Sequence, residues 1–146
     1  MLTPEERFEQ LEKVFEELED LSADTPTIVE GIRDVRALER LGITKNVVAL
    51  NKGVSVFSFC EQLSKRHRAA IILTDWDRRG GMLARMLREG LTANGVKAID
   101  KIRTELVVLS KKEVKDIESM PTFMERLKAM DQSERMRARI VRAKGI

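Results

Sequence analysis

Three carboxylates carry the chemistry this sequence suggests. Glu30 follows the apolar run Thr27-Ile28-Val29, and Asp75 and Asp77 follow the apolar run 69–74. In an open parallel sheet, ligands bind outside the carboxyl ends of the strands. Strand residues two apart point to the same side, so Asp75 and Asp77 are expected to share a face, with Trp76 turned into a helix-covered layer. If the first and third strands are neighbours, Glu30 reaches the pair. Converging carboxylates repel one another unless a cation intervenes. Hard oxygen ligands favour Mg²⁺ or Mn²⁺ over zinc, and the lone His67 and lone Cys60 form no competing ligand cluster. The plainer use of the same acids is capping: Glu30 precedes a helix, and Asp77 suits the N-cap of the helix after it.

Cations stand close to these acids. Arg78 and Arg79 follow Asp77 at a helix start, where helix N-termini and arginine both suit phosphate; the alternative is a solvated pair neutralising Asp75 and Asp77. Arg33 contacts phosphate or pairs with its neighbour Asp34. Lys52 follows the second strand on the same rim as the acids. Gly80-Gly81 permits close backbone approach or serves only a tight turn. His67, among Lys65, Arg66 and Arg68, reads as a surface residue, and Cys60, among Phe57, Phe59 and Leu63, as core.

Alternating elements must hold these residues in place. Thr3-Pro4-Glu5-Glu6 has the form of a capping box with proline in the first turn. Phe8, Leu11, Val14, Phe15, Leu18 and Leu21 then share one helical face. Strands are expected at 27–29, 46–51, 69–74 and 96–99, and helices at 33–41, 57–67 and 82–93. Residues 101–130 read as helix in two pieces broken near Met120-Pro121, and 132–144 as a basic helical tail. Strands alternating with helices of about ten residues indicate βαβ units. The expected fold class is therefore α/β, with about four mainly parallel strands flanked by helices. The expected organisation is an N-terminal helix over 1–22 packed on a domain over 23–118, followed by a basic helical extension over 119–146.

The chain has 146 residues, 42% of them apolar and 35% charged, enough for one ordinary core beneath a well-solvated surface. The longest uninterrupted apolar run, 69–73, falls far short of the ~20 residues that cross a bilayer. The acidic start, with no secretory pattern, and the single cysteine fit the cytoplasm. The net charge of +3 conceals a gradient, from −7 over residues 1–24 to +6 over 25–120 and +4 over 121–146. A basic body behind an acidic first helix is compatible with a polyanion partner. With no tyrosine in the chain, a covalent tyrosyl–DNA step is excluded.

Two segments resemble the motifs of the Toprim domain, which is shared by type IA and type II topoisomerases, bacterial primases and several nucleases. Residues 28–38, Ile-Val-Glu-Gly followed by a helix, resemble its first motif. Leu73-Thr74-Asp75-Trp76-Asp77-Arg78-Arg79-Gly80 resembles its Asp-x-Asp motif. The resemblance extends over about 24–118 and is strongest to small stand-alone archaeal Toprim proteins. It implies a Toprim (Rossmann-like) fold. It implies Glu30 as general acid/base and metal ligand, Asp75 as a metal ligand and Asp77 as holder of a second ion, with one or two Mg²⁺ per chain and Mn²⁺ as substitute. The ions would clamp a phosphodiester. Many Toprim enzymes carry a further acid just after Asp-x-Asp; here that place is Gly81.

The leading functional reading is an Mg²⁺-dependent protein acting on nucleic acid by phosphodiester hydrolysis, with RNA slightly favoured over DNA by analogy with ribonuclease relatives. Its nucleic-acid contacts would be Arg33, Lys52, Arg78 and Arg79, and its assemblies a homodimer or a larger nucleic-acid-processing complex. The alternative is a non-catalytic, metal-containing nucleic-acid-binding module, which the glycine at 81 favours. A receiver-like phosphoacceptor fits poorly because the acidic pair follows the third strand. A haloacid-dehalogenase-type phosphatase needs its Asp-x-Asp on the first.

Overall fold

The computed structural model of the chain describes residues 1–50, 52–110 and 113–145. Ten elements follow one another: α1 (Pro4–Ser22), β1 (Thr27–Val29), α2 (Ile32–Arg40), β2 (Val47–Ala49), α3 (Val56–Ser64), β3 (Ala69–Ile72), α4 (Arg78–Ala93), β4 (Lys97–Ile99), α5 (Lys101–Ser110) and α6 (Met120–Ala143). The four strands form one sheet in the order β2-β1-β3-β4, and every pairing is parallel. This is the expected α/β architecture, with β1 and β3 adjacent at its centre.

Side-chain alternation along the strands builds two cores. Ile28, Ala70 and Ile72 point to one face of the sheet, where they meet Cys60 and Leu63 of α3 and Ala84, Leu87 and Leu91 of α4. Val29, Ile71 and Leu73 point to the other and meet α1, α2, α5 and α6. A parallel sheet covered on both faces needs apolar residues at successive positions, which is why these short strands read as unbroken apolar runs.

Local chemistry starts and stops the helices. In α1 the Thr3 hydroxyl accepts from the Glu6 N–H and the Glu6 carboxylate accepts from the Thr3 N–H, both at 3.1 Å. Leu11, Val14, Phe15 and Leu18 bury the resulting stripe. Gly42 lies just past α2 with φ +91°, a left-handed conformation that glycine adopts without a Cβ clash. The Ser55 side chain caps α3.

The structure corrects the sequence reading in three places. β3 ends at Ile72, so Asp75 and Asp77 lie in the turn beyond it and not on a strand face. Helix α4 begins at Arg78, four residues earlier than expected, because Asp77 caps it and Gly80-Gly81 lie within its first turn. Residues 101–130 do form two helical pieces, and Pro121 occupies the first turn of the second, α6, where its missing N–H costs nothing. The basic tail is not a separate element but the second half of the 24-residue α6. The final residue of the strand expected at 46–51 lies outside the described residues, as do 111–112.

Helix α1 is continuous with the main core, since Leu18 is fully buried among residues of α5, α6 and the sheet. Leu18→Ala is expected to destabilise the protein by about 2–5 kcal/mol in urea unfolding. Glu9→Ala, on the exposed face of the same helix, should change it by no more than about 0.5 kcal/mol.

Candidate active site

Parallel register brings the carboxyl ends of β1 and β3 together. Leu73 N–H donates to the Ile28 carbonyl at 2.8 Å, and two residues on the Asp75 N–H donates to Glu30 Oε2, also at 2.8 Å. Glu30 therefore caps no helix: the N-cap of α2 is Gly31. Its carboxylate bonds instead to the backbone of the very aspartate it was expected to work with. Glu30, Asp34, Asp75, Lys52 and Arg79 line a common cavity of about 580 Å³.

The turn after β3 is held from three sides. Arg103 of α5 donates from Nε to the Thr74 carbonyl at 2.9 Å and from an Nη to the Asp75 carbonyl at 2.7 Å. The segment 113–119 closes over the turn. Trp76 donates its indole N–H to the Val114 carbonyl and its backbone N–H to the Lys115 carbonyl, and Ile117 N–H donates to Asp75 Oδ1 at 3.1 Å. From below, Gly80 packs against the Asp75 backbone, where an added Cβ would stand 1.8 Å from the carbonyl oxygen. Thr74 donates its hydroxyl to the Gly80 carbonyl across the same contact. This explains the glycine after Asp-x-Asp as a steric requirement.

Not every predicted residue joins the cavity. Asp77 Oδ1 accepts from Gly80 N–H at 2.7 Å, the N-cap of α4, and Asp77 is not among the described residues that line the cavity. Arg78 lines a neighbouring depression instead, while Arg79 borders both. Arg33, by contrast, does line the cavity, 3.9 Å from Glu118 with both side chains exposed, a weak pair. It does not pair with Asp34.

Asp34 is the acid that sequence reasoning passed over. It is 7% exposed and accepts from Gly31 N–H at 3.1 Å. Burial pushes its carboxyl up from the ordinary range against that hydrogen bond, and the charges of Glu30, Glu118 and Asp116 add to the push. Its place four residues after Glu30 was visible, but its burial was not. Arg103, 28 residues beyond Asp75, gave no local signal at all. Burial draws its guanidinium pKa down and neighbouring Arg88 adds to this, while Asp100, Asp75 and Glu30 oppose it; an arginine remains charged under such pressure.

The donor set is all oxygen, which suits a hard divalent cation. Among the described residues no three acidic, histidine or cysteine side chains converge into a closed cation cage. The carboxylates that line the cavity are Glu30, Asp34, Asp75 and Glu118.

Burial, above all, pushes the Asp75 carboxyl up to about 7 from an ordinary 3.8. The Ile117 N–H opposes this, and the charges of Asp34, Glu30 and Asp116 reinforce it. A carboxyl with a raised folded pKa holds its proton more tightly when folded. Its contribution to stability is fully present below the unfolded value and is lost as pH rises through the folded one. In metal-free protein the loss attributable to Asp75 should therefore fall between about pH 4 and pH 7. Asp75→Asn should flatten that part of the Tm–pH curve. It should melt a few degrees above the parent at pH 8 and close to it at pH 4. A second expectation concerns packing. Gly80→Ala should cost about 1–3 kcal/mol or more in chemical denaturation, because the Asp75 backbone must move. Gly31→Ala, whose Cβ meets nothing within 4 Å, should be tolerated.

Comparison with known proteins agrees with this architecture. The Toprim domain family matches residues 25–109. A UPF0292 protein of Methanosarcina barkeri is 41% identical over 123 residues, covering 84% of this chain and 85% of its own length. One of Methanocaldococcus jannaschii is 38% identical, covering 82% of this chain and 94% of its own. Among solved structures, a putative protein from Aquifex aeolicus superposes with a TM-score of 0.63 at 27% identity, covering 73% of this chain and 94% of that one. A match across most of the sheet and its helices, with relatives this similar over most of their length, shows that the chain carries a Toprim domain and belongs to the UPF0292 proteins.

Proposed function

We propose that this protein is an Mg²⁺-dependent phosphodiester hydrolase acting on nucleic acid, with RNA favoured over DNA. The observation that carries the reading is the convergence of Glu30 and Asp75 on one cavity that Arg33, Lys52 and Arg79 also line. A site that combines carboxylates for metal with cations for phosphate oxygens matches the charge pattern of a phosphodiester bound to a divalent ion. The Toprim family match supports the same general kind of chemistry.

Each residue then has a distinct task. Glu30 sits at the mouth of β1 and moves the proton, giving it to the leaving oxygen or taking it from the attacking water. Asp75, fixed by Arg103 and Ile117, and Glu30 would hold the ion, while Asp77 would hold a second ion through the oxygen its cap leaves free. Lys52 and Arg79 orient the phosphate oxygens. Gly31 is extended, and its missing side chain leaves room for a nucleic-acid strand to pass. When bound, Mg²⁺ supplies positive charge for the phosphoryl oxygens.

A second reading, a nucleic-acid-binding module without turnover, is favoured by one observation: Asp77, whose Oδ1 caps α4, is not among the described residues that line the carboxylate cavity. Mutation separates the two readings. Gln at 30 keeps an oxygen that accepts from the Asp75 N–H, so Glu30→Gln should fold normally. Cleavage of structured RNA in Mg²⁺ or Mn²⁺ should nevertheless fall by about 10²–10⁴-fold. Undiminished cleavage in that variant, or none in the parent, would rule out the hydrolase. Asn caps helices as well as Asp does, so Asp77→Asn isolates the charge. Weaker Mg²⁺ dependence, read from Trp76 fluorescence and from rate, is the result expected if Asp77 holds an ion.

A further inference from the structure

Beside the carboxylate cavity, on the outer side of α4, lies a second depression of about 740 Å³. Its lining is Arg78, Arg79, Gly81, Met82, Arg85 and Arg88, four arginines and no acid. The one acidic residue of α4, Glu89, is not in it. Helical spacing sets Arg78, Met82 and Arg85 along one stripe, with Arg88 a turn further. Among the described residues Arg78, Arg79 and Arg85 have no ion-pair partner, while Arg88 pairs with Asp100 at 3.3 Å with both side chains more than 40% exposed. Arg79 also borders the carboxylate cavity, so the two concavities adjoin there.

Arg78, Arg79 and Arg85, gathered without ion-pair partners beside the half-exposed Arg88, repel one another, and the arrangement is relieved by an extended polyanion. From Arg78 to Arg88 the helix rises about 15 Å, more than a single phosphate group occupies and enough for a few consecutive phosphates of one strand. A mononucleotide or a single phosphate would use one or two of these arginines and leave the others opposed. We propose that this face of α4 is a track for the phosphodiester backbone of a nucleic-acid strand, with Arg79 as the joint where the strand turns into the carboxylate cavity. The proposal rests on the nucleic-acid reading above but not on catalysis. Gly81 forms part of the floor, and a side chain added there meets nothing within 4 Å.

The test is binding of a fluorescein-labelled 12-nucleotide single-stranded RNA, followed by anisotropy in EDTA between 50 and 200 mM salt. Arg85→Ala/Arg88→Ala should fold well, since alanine is the best helix former. It should lose about tenfold or more in affinity and flatten the log–log salt slope by roughly 1.4, at ~0.7 for each phosphate no longer neutralised. Gly81→Glu sets a carboxylate in the depression without removing an arginine and should weaken binding likewise. Lys65→Ala/Arg66→Ala removes the same charge behind α3 and should change binding by less than about twofold. Variants that bind like the parent, or a control that falls as far as they do, would overturn the track. Failure of the parent to bind at all would overturn both the track and the nucleic-acid reading. Retained binding with full cleavage by Glu30→Gln would sink the hydrolase and leave the track standing.

Discussion

The hydrogen bond from the Asp75 N–H to the Glu30 carboxylate joins the ends of the two central strands at the point where charge is hardest to hold. Glu30, Asp34 and Asp75 share a cavity, where the charge of Glu30 disfavours ionisation of both aspartates and that of Asp34 adds to the effect on Asp75. A backbone donor favours the charged form of the carboxylate it meets. Three such donors are distributed over the three acids: Asp75 N–H to Glu30, Gly31 N–H to Asp34 and Ile117 N–H to Asp75. For Asp34 and Asp75 burial still outweighs them. The site is thus under electrostatic tension that protons or cations relieve.

Much of the remaining chain resists that tension. Arg103 fixes two consecutive carbonyls of the β3 turn, and segment 113–119 clasps the same turn through Val114, Lys115 and Ile117. That segment is anchored in turn from outside the sheet. Arg7 of α1 pairs with Glu113 at 2.9 Å and lies 6.0 Å from the Phe123 ring of α6, and Ser119 N–H donates to Asp116 at the head of α6. The terminal helices therefore act on the site through packing, although they contribute no group to the cavity. Gly80 completes the clamp, since only a residue without a side chain lets α4 approach the Asp75 carbonyl so closely.

The charge layout follows from the topology. Parallel strands deliver their carboxyl ends, and the helix starts that follow them, to one edge of the sheet. The acids of β1 and β3 lie there beside Lys52, which follows β2, and Arg79 in the first turn of α4. The arginine face of α4 continues outward from that edge. Carboxylates, cations and a basic flank are consecutive features of a single rim.

Residue types and their spacing were enough to read the elements and their class. Short apolar runs, the Thr3–Glu6 capping box and the glycine at 42 act within a turn or two of their own position. Such local interactions are readable without knowing the neighbours. The pairing of Glu30 with the Asp75 region was legible too, because parallel α/β topology sends alternate strand ends to one edge. The tertiary structure alone decided how the acids are used. Whether Asp77 caps or coordinates depends on where β3 stops and α4 starts, and that is set by the packing of Gly80 on Asp75. The burial of Asp34 depends on which elements close over it. The reach of Arg103 and the closure of 113–119 over Trp76 join residues 28 to 42 positions apart in the chain. Such contacts leave no periodic trace in a sequence. They exist only once two apolar faces of the sheet have found their helices.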